Sequence, residues 1–187
     1  MKKVFMVHGF NGEPNGGWRP WLMGELAKKD VYACALPMPK REAPVKEEWI
    51  KTIADAVGNP SPEVFLVGHS LGVPAILRYL ETLPGEQKIG GAVLVSGPFF
   101  KIQKDGYDCV NKFLEDSFNF ENIKKNCNNF VVVHGSDDPI VSFKNAEEFS
   151  RNLKCEIVSV LGGKHLNGSA GFYEVPQILE AVEKIIF

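Results

Sequence analysis

The sequence has little of several features that would assign a protein to a special class. Among 187 residues, 21 are Lys or Arg and 23 are Asp or Glu, and neither sign forms a long block. This balance of −2 argues against a nucleic-acid binder that relies on a strong positive field, and against a polybasic membrane anchor. Hydrophobic residues make up 44%, yet no apolar run approaches the roughly 20 residues that a bilayer span needs. We therefore expect a protein that binds neither nucleic acid nor membrane.

Cysteine is scarce, and its positions are scattered. The four cysteines are Cys34, Cys109, Cys127 and Cys155. They include no C-x-x-C pair, so neither a zinc site nor a redox motif is spelled, and we expect no metal site. The apolar stretch after Lys2 and Lys3 is shorter than the roughly 7–15 residues of a signal-peptide core. These features predict a cytoplasmic protein.

Phosphate-binding loops are also missing. Gly162-Gly163-Lys164 lacks the earlier glycine of a P-loop, and it is followed by His165 instead of Ser or Thr. No G-x-G-x-x-G motif follows a predicted strand, so dinucleotide binding has no support. We therefore expect a function that needs no cofactor.

Short aliphatic runs alternate with stretches of helical spacing along the chain. Six runs predict strands: Val4–Val7, Val31–Leu36, Val64–Val67, Ala92–Val95, Phe130–Val133 and Glu156–Leu161. Helices are predicted near residues 18–26, 49–57, 71–83, 107–125, 144–152 and 176–186. This alternation implies a three-layer α/β/α sandwich around a mostly parallel six-stranded sheet. The length predicts one domain, residues 1–187.

A candidate nucleophile lies where the third predicted strand meets a helix. Gly68-His69-Ser70-Leu71-Gly72 is a G-x-S-x-G motif with a strand before it and a helix directly after it. Such a sharp turn holds the serine in strained backbone geometry and presents its hydroxyl at the edge of the sheet. The alternative is a glycine-bracketed turn whose serine only caps a helix. The context favours Ser70 as a nucleophile.

A serine nucleophile needs a base, and the base needs a carboxylate that orients it. The fifth predicted strand ends in His134-Gly135-Ser136-Asp137-Asp138, which offers two acids. The last strand is followed by His165, the one histidine that comes after both acids. The other histidines lie beside glycines at strand ends or in the serine turn, where a structural or loop-fixing role is expected. Asp137 and Asp138 are adjacent at a strand end and face opposite ways, so both stay open on this evidence.

The motifs together resemble the α/β-hydrolase superfamily over essentially the whole chain. More narrowly, His8-Gly9-Phe10-Asn11-Gly12 and the segment 162–172, followed by Pro176, are similar to the compact serine hydrolase family that includes the retinoblastoma-binding serine hydrolase. The resemblance implies a small hydrolase of esters or amides. The retinoblastoma-binding motif L-x-C-x-E is absent, since Ile157 stands where glutamate is required. We do not expect that partner.

The resemblance also implies roles for individual residues. The frame Asp138-Pro139-Ile140-Val141 resembles the acid loop of the superfamily, which favours Asp138 over Asp137 as the partner of His165. The loop after the first strand resembles an H-G-x oxyanion loop, so the backbone N–H of Phe10 is an expected donor to the oxyanion. The alternative is that this loop is an ordinary exit from the strand. The second expected donor is the N–H of Leu71, which lies in the first turn of a helix. Lys164 replaces a more usual glycine before His165.

The length constrains the substrate. The sheet and its helices use most of the chain and leave about residues 98–129 as an insertion, too short for a large cap domain. An open site is expected, with aromatic walls drawn from Phe10, Trp18, Phe99, Phe100 and Phe143.

These features predict a cofactor-free serine hydrolase acting on a small-molecule ester, thioester or activated amide. Ser70, His165 and Asp138 would form the triad. The alternative from a different functional class is a binding or regulatory module with little turnover. A further possibility is acyl transfer or perhydrolysis, which would use the same triad. The natural substrate and the oligomeric state are left open by the sequence.

Overall fold

Six strands form one parallel sheet in the computed structural model, which describes residues 1–85 and 87–187. The strands are β1 (Lys3–Val7), β2 (Tyr32–Ala35), β3 (Val64–His69), β4 (Gly91–Val95), β5 (Phe130–Gly135) and β6 (Glu156–Val160). Their order across the sheet is β2-β1-β3-β4-β5-β6, and each neighbouring pair is parallel. All six predicted strands are confirmed.

Helices connect the strands as the alternation predicts. They are α1 (Arg19–Ala27), α2 (Lys46–Val57), α3 (Gly72–Thr82), α4 (Asp108–Asn111), α5 (Phe120–Asn126), α6 (Lys144–Leu153) and α7 (Pro176–Ile186). The region 107–125 departs from the expected helix, because it holds two short helices joined by a 3₁₀ turn at Lys112–Leu114. The side chain of Asn119 starts α5 separately by accepting a hydrogen bond from the N–H of Asn122. None of the helices in the described residues is long and apolar enough to cross a bilayer.

Alternate side chains of each strand enter opposite layers of the core. Phe5 and Val7 of β1 face a cluster that includes residues of α2, α3 and α6, whereas Val4 and Met6 face α1 and α7. Both faces of the sheet are therefore covered, which explains the continuously apolar strands. The three-layer α/β/α sandwich of the prediction is confirmed.

The parallel arrangement decides where chemistry can gather. All carboxyl ends lie at one edge of the sheet, so the loops after β1, β3, β5 and β6 meet there. The insertion 98–129 is anchored beside them, since Phe113 is fully buried and its ring lies 5.8 Å from that of Trp49. It contributes Tyr107 to the cleft at this edge.

Candidate active site

Ser70 occupies a sharp turn between β3 and α3. Its φ is +52°, in the left-handed region that most side chains avoid, and its N–H donates to the carbonyl of Val95 at 2.9 Å. A Cβ built at Gly68 would lie 2.8 Å from the backbone of Gly72, and one built at Gly72 would collide with the carbonyl oxygen of Val7. The motif needs its two glycines because β1, β3 and α3 approach more closely than a side chain allows. The turn leaves Ser70 on the wall of a cleft.

His165 lies beside Asp138. Its Nδ1 is 2.7 Å from Oδ2 of Asp138, whose side chain is fully buried. The other carboxylate oxygen accepts the N–H groups of Ile140 and Val141 at 2.8 and 2.9 Å. With Nδ1–H donating to the carboxylate, Nε2 of the neutral imidazole is the nitrogen that can accept a proton.

Asp137 points elsewhere. Its Oδ1 accepts the backbone N–H of Lys164 at 2.8 Å, and the residue is exposed. Lys164 has a φ of +46°, and a Cβ built at Gly135 would collide with its carbonyl oxygen. The two neighbouring acids therefore hold the same loop at different points, Asp137 through the backbone and Asp138 through the imidazole.

Two buried side chains support the backbone around His165. Nε2–H of His69 donates to the carbonyl of His165 at 2.9 Å, and the indole N–H of Trp18 donates to that of Leu166 at 2.8 Å. Burial, with a smaller contribution from the neighbouring His165, holds the pKa of His69 well below its usual range. His69 is therefore a neutral donor. Sequence reasoning gave His69 a structural role but did not identify either bond.

The loop after β1 lies against the serine. A Cβ built at Gly9 would be 2.9 Å from the Cβ of Ser70. The carbonyl of Gly9 accepts Nδ1–H of His8 at 2.8 Å and the N–H of Gly12 at 3.0 Å. In a trans peptide the N–H points opposite to the carbonyl, so these two bonds fix the direction of the Phe10 N–H. His8 thus orients the peptide that contains one of the two expected oxyanion donors.

These groups border one cleft with a volume of about 580 Å³. Ser70 and His165 both line it, together with Phe10 and Tyr107, whose ring centroids are 5.8 Å apart. Leu71 directly precedes the first residue of α3, at the helix terminus where the first N–H groups have no partner within the helix. The cleft therefore brings together a hydroxyl and an imidazole that is paired with a carboxylate.

Residues 4–184 match the serine hydrolase family. The chain belongs to this family. The ydeN gene product of Bacillus subtilis is 30% identical over 181 residues, which are 97% of this chain and 94% of the relative. Its crystal structure superposes with a TM-score of 0.93 and covers 99% of this chain and 98% of that one. The match to the serine hydrolase family identifies the chain as a hydrolase.

More distant proteins are also similar to this chain in sequence or in fold. The serine hydrolase RBBP9 of Rattus norvegicus is 22% identical over 167 residues, 89% of this chain and 86% of the relative. Est1E of Butyrivibrio proteoclasticus has a TM-score of 0.71 at 16% identity and covers 99% of this chain and 85% of its own. The resemblance to the α/β-hydrolase superfamily and to the compact serine hydrolase family is confirmed.

The aromatic walls of this serine hydrolase differ from the expectation. Phe10 lines the cleft, but four other expected residues do not: Trp18, Phe99, Phe100 and Phe143. Trp18 is 1% exposed, and its ring packs edge-on against that of His69 with centroids 6.1 Å apart. Phe99 packs within an aromatic group with Phe118, Phe120 and Phe149.

The last two of these residues also lie outside the cleft for identifiable reasons. Phe100 is 49% exposed, and the ring of Phe143 packs edge-on against His134 with centroids 5.8 Å apart. The cleft is lined instead by Tyr107, Ile140 and Arg19, which sequence reasoning missed. No periodic signal marks them, because each reaches the cleft from a loop or a helix terminus.

Throughout residues 1–85 and 87–187, no group of three or more His, Cys, Asp or Glu side chains is placed to hold a metal ion.

Proposed function

We propose that this hydrolase cleaves small carboxylic esters through an acyl-enzyme formed on Ser70, with thioesters and activated amides as further substrates. The observation that carries the proposal is the 2.7 Å contact between His165 Nδ1 and the buried Asp138 carboxylate, in a cleft that Ser70 shares with His165. A serine that shares a cleft with a histidine oriented by a carboxylate supports nucleophilic acyl transfer.

The proposed reaction begins with attack of Ser70 Oγ on the ester carbonyl. His165 Nε2 takes the hydroxyl proton, and Asp138 stabilises the imidazolium that forms. Negative charge develops on the carbonyl oxygen, where the backbone N–H groups of Phe10 and Leu71 would stabilise it. The C–O bond to the alcohol then breaks, and the alcohol leaves with the proton from His165.

Water completes the cycle in the second half of the reaction. His165 removes a proton from the water molecule as its oxygen attacks the acyl carbonyl, and the same backbone donors hold the second oxyanion. Collapse of this intermediate breaks the bond to Ser70 Oγ and returns the proton to it. The products are a carboxylic acid and a free enzyme.

The shape of the cleft supports small substrates. About 580 Å³ is within the range of sites for small molecules, and Tyr107 is the residue of the insertion 98–129 that lines the cleft. We therefore propose short acyl groups as the best substrates.

The test combines labelling with turnover. A fluorophosphonate should label the wild type and not Ser70→Ala, and hydrolysis of p-nitrophenyl butyrate should fall about 10⁴-fold in Ser70→Ala. Ser169→Ala is the matched control, because Ser169 lines the same cleft and its loss should leave labelling intact. A wild type that is labelled but shows no turnover above background would support the binding module instead. Equal labelling of wild type and Ser70→Ala would overturn the proposal.

A further inference from the structure

Arg19 places a buried positive charge on the wall of the candidate active-site cleft. It is the first residue of α1, only 6% exposed, and it lines the same cleft as Ser70 and His165. The reaction proposed above gives this guanidinium no task. Burial of a charge without an ionic partner is costly, so an unused buried arginine needs an explanation.

The partners of Arg19 are neutral. Nε and Nη2 donate to the carbonyl of Glu13 at 3.2 and 2.7 Å, and Nε also contacts the carbonyl of Pro14 at 3.3 Å. The carboxylate of Glu13 pairs with Arg41 instead. Within the described residues, no carboxylate lies within 4 Å of the Arg19 guanidinium, and Nη1 makes no hydrogen bond.

The centroid of the Trp18 ring lies 5.6 Å from the guanidinium carbon, a cation–π contact, but no carboxylate of the described residues balances this charge. Burial lowers the pKa of Arg19 to about 10, so the side chain is still a cation at neutral pH. Burial lowers the pKa values of His8 and His69, and the charge of Arg19 makes a smaller contribution in the same direction. Gly16 leaves room at the guanidinium, since a Cβ at that position would lie 2.9 Å from Nη2.

We propose that Arg19 binds an anionic group, a carboxylate or a phosphate, carried by the ester substrate. The planar guanidinium suits both groups, because its N–H donors match the spacing of two anionic oxygens. The proposal deepens the esterase function and rests on it: the preferred substrates are esters with a negative charge on the part that reaches Arg19.

The experiment compares three p-nitrophenyl esters of the same chain length. One is the neutral hexanoate. The other two are anionic: the monoester of adipic acid, which carries a carboxylate, and the 6-phosphooxyhexanoate, which carries a phosphate. The wild type should show a higher kcat/KM for at least one anionic ester than for the hexanoate, and the better of the two identifies the preferred anion. No preference over the neutral ester would overturn the proposal.

Variants separate substrate binding from loop support. Arg19→Gln should lower kcat/KM for the preferred anionic ester by about 10-fold or more, with less than about a 3-fold change for the hexanoate. Arg19→Lys retains the charge without the planar guanidinium. Its kcat/KM for the preferred anionic ester should lie between those of the wild type and Arg19→Gln. It also provides a second variant if Arg19→Gln does not fold. Arg151→Gln, which removes an exposed arginine charge on α6 outside this cleft, should preserve the preference. Equal losses for neutral and anionic esters in both Arg19 variants would show that Arg19 only holds residues 13 and 14.

Binding to an inactive variant distinguishes this proposal from the esterase proposal. Ser70→Ala leaves the esters intact, so calorimetry can measure the affinity of the adipate and phosphooxyhexanoate monoesters directly. If the wild type hydrolyses none of the esters, the esterase proposal fails. The anion site is still supported if either anionic ester binds at least 10-fold more weakly to Ser70→Ala/Arg19→Gln than to Ser70→Ala. If both anionic esters bind the double variant as tightly as they bind Ser70→Ala, the anion-site proposal is overturned.

Discussion

The indole N–H of Trp18 donates a 2.8 Å hydrogen bond to the carbonyl of Leu166, 148 residues further along the chain. Leu166 is fully buried and has a φ of +47°, directly after His165. The bond ties the start of the first helix to the loop that holds the candidate base. Trp18, expected as a wall of the cleft, instead supports the loop from within the core.

Trp18→Phe should therefore affect both stability and activity. The substitution keeps an aromatic ring but leaves a buried carbonyl without its partner, at a cost of about 1–3 kcal/mol in the free energy of unfolding. Turnover of p-nitrophenyl butyrate should fall several-fold because the His165 loop loses a support. Trp21→Phe, on the same helix, is the control for urea denaturation and kinetics. Indistinguishable effects of the two substitutions would contradict the assigned role.

Asp138→Asn should reduce kcat about 10³- to 10⁴-fold, because an amide favours the wrong tautomer of His165 and cannot stabilise an imidazolium. Asp137→Asn keeps an oxygen for the Lys164 N–H and should change kcat only a few-fold. Steady-state kinetics on both variants compares two acids that are adjacent in the chain. A larger loss in Asp137→Asn would reverse the assignment.

Gly72→Ala should destabilise the fold by about 2–4 kcal/mol, because the new Cβ would collide with the carbonyl of Val7 and force β1 and α3 apart. Gly24→Ala is the matched control within α1, where nothing lies within 4 Å of a new Cβ. That change should stabilise the protein by about 0.5–1 kcal/mol. Urea unfolding measures both, and a neutral Gly72→Ala would contradict the close approach.

Stability should fall as the pH drops below about 6.5, the usual pKa of histidine. Burial lowers the pKa values of three histidines, His8, His69 and His134, in the folded protein. The unfolded chain binds protons that the folded chain does not, so lower pH favours unfolding by at most about 1.4 kcal/mol per pH unit for each histidine.

His69→Gln tests one part of this dependence. It keeps a side-chain N–H donor but removes one titrating group, and it should reduce the loss of stability between pH 6.5 and pH 5 by about 1–2 kcal/mol. Urea unfolding at several pH values measures the difference. Above pH 7, the free energies of unfolding of the wild type and His69→Gln should change in parallel with pH. An unchanged slope below pH 6.5 would show that His69 is protonated in the folded state.

Much of the fold was predictable because its signals are local. Continuous apolar runs identified the strands, and helical spacing identified the principal helices, with bounds close to those observed. The region 107–125 was the exception, because it is divided into two short helices and a 3₁₀ turn that contains the buried Phe113, and short elements of this kind leave no long periodic pattern.

The chain order of the motifs, together with the family resemblance, was enough to propose Ser70, Asp138 and His165. Parallel strands bring their carboxyl ends to one edge whatever the details of packing, so residues directly after β3, β5 and β6 must approach each other. Adjacent acids at a strand end differ only in direction, however, and contacts with two separate points of the 164–165 loop distinguish Asp137 from Asp138.

The sequence by itself determined the layers of the sandwich and the turn that carries Ser70, because hydrophobic period and glycine spacing act over a few residues. Only the tertiary structure decided the cleft walls, the support of His165 by Trp18 and His69, and the exposure of Arg19 to the cleft. Those features join residues far apart in the chain, and their side-chain directions depend on packing between elements that no local pattern encodes.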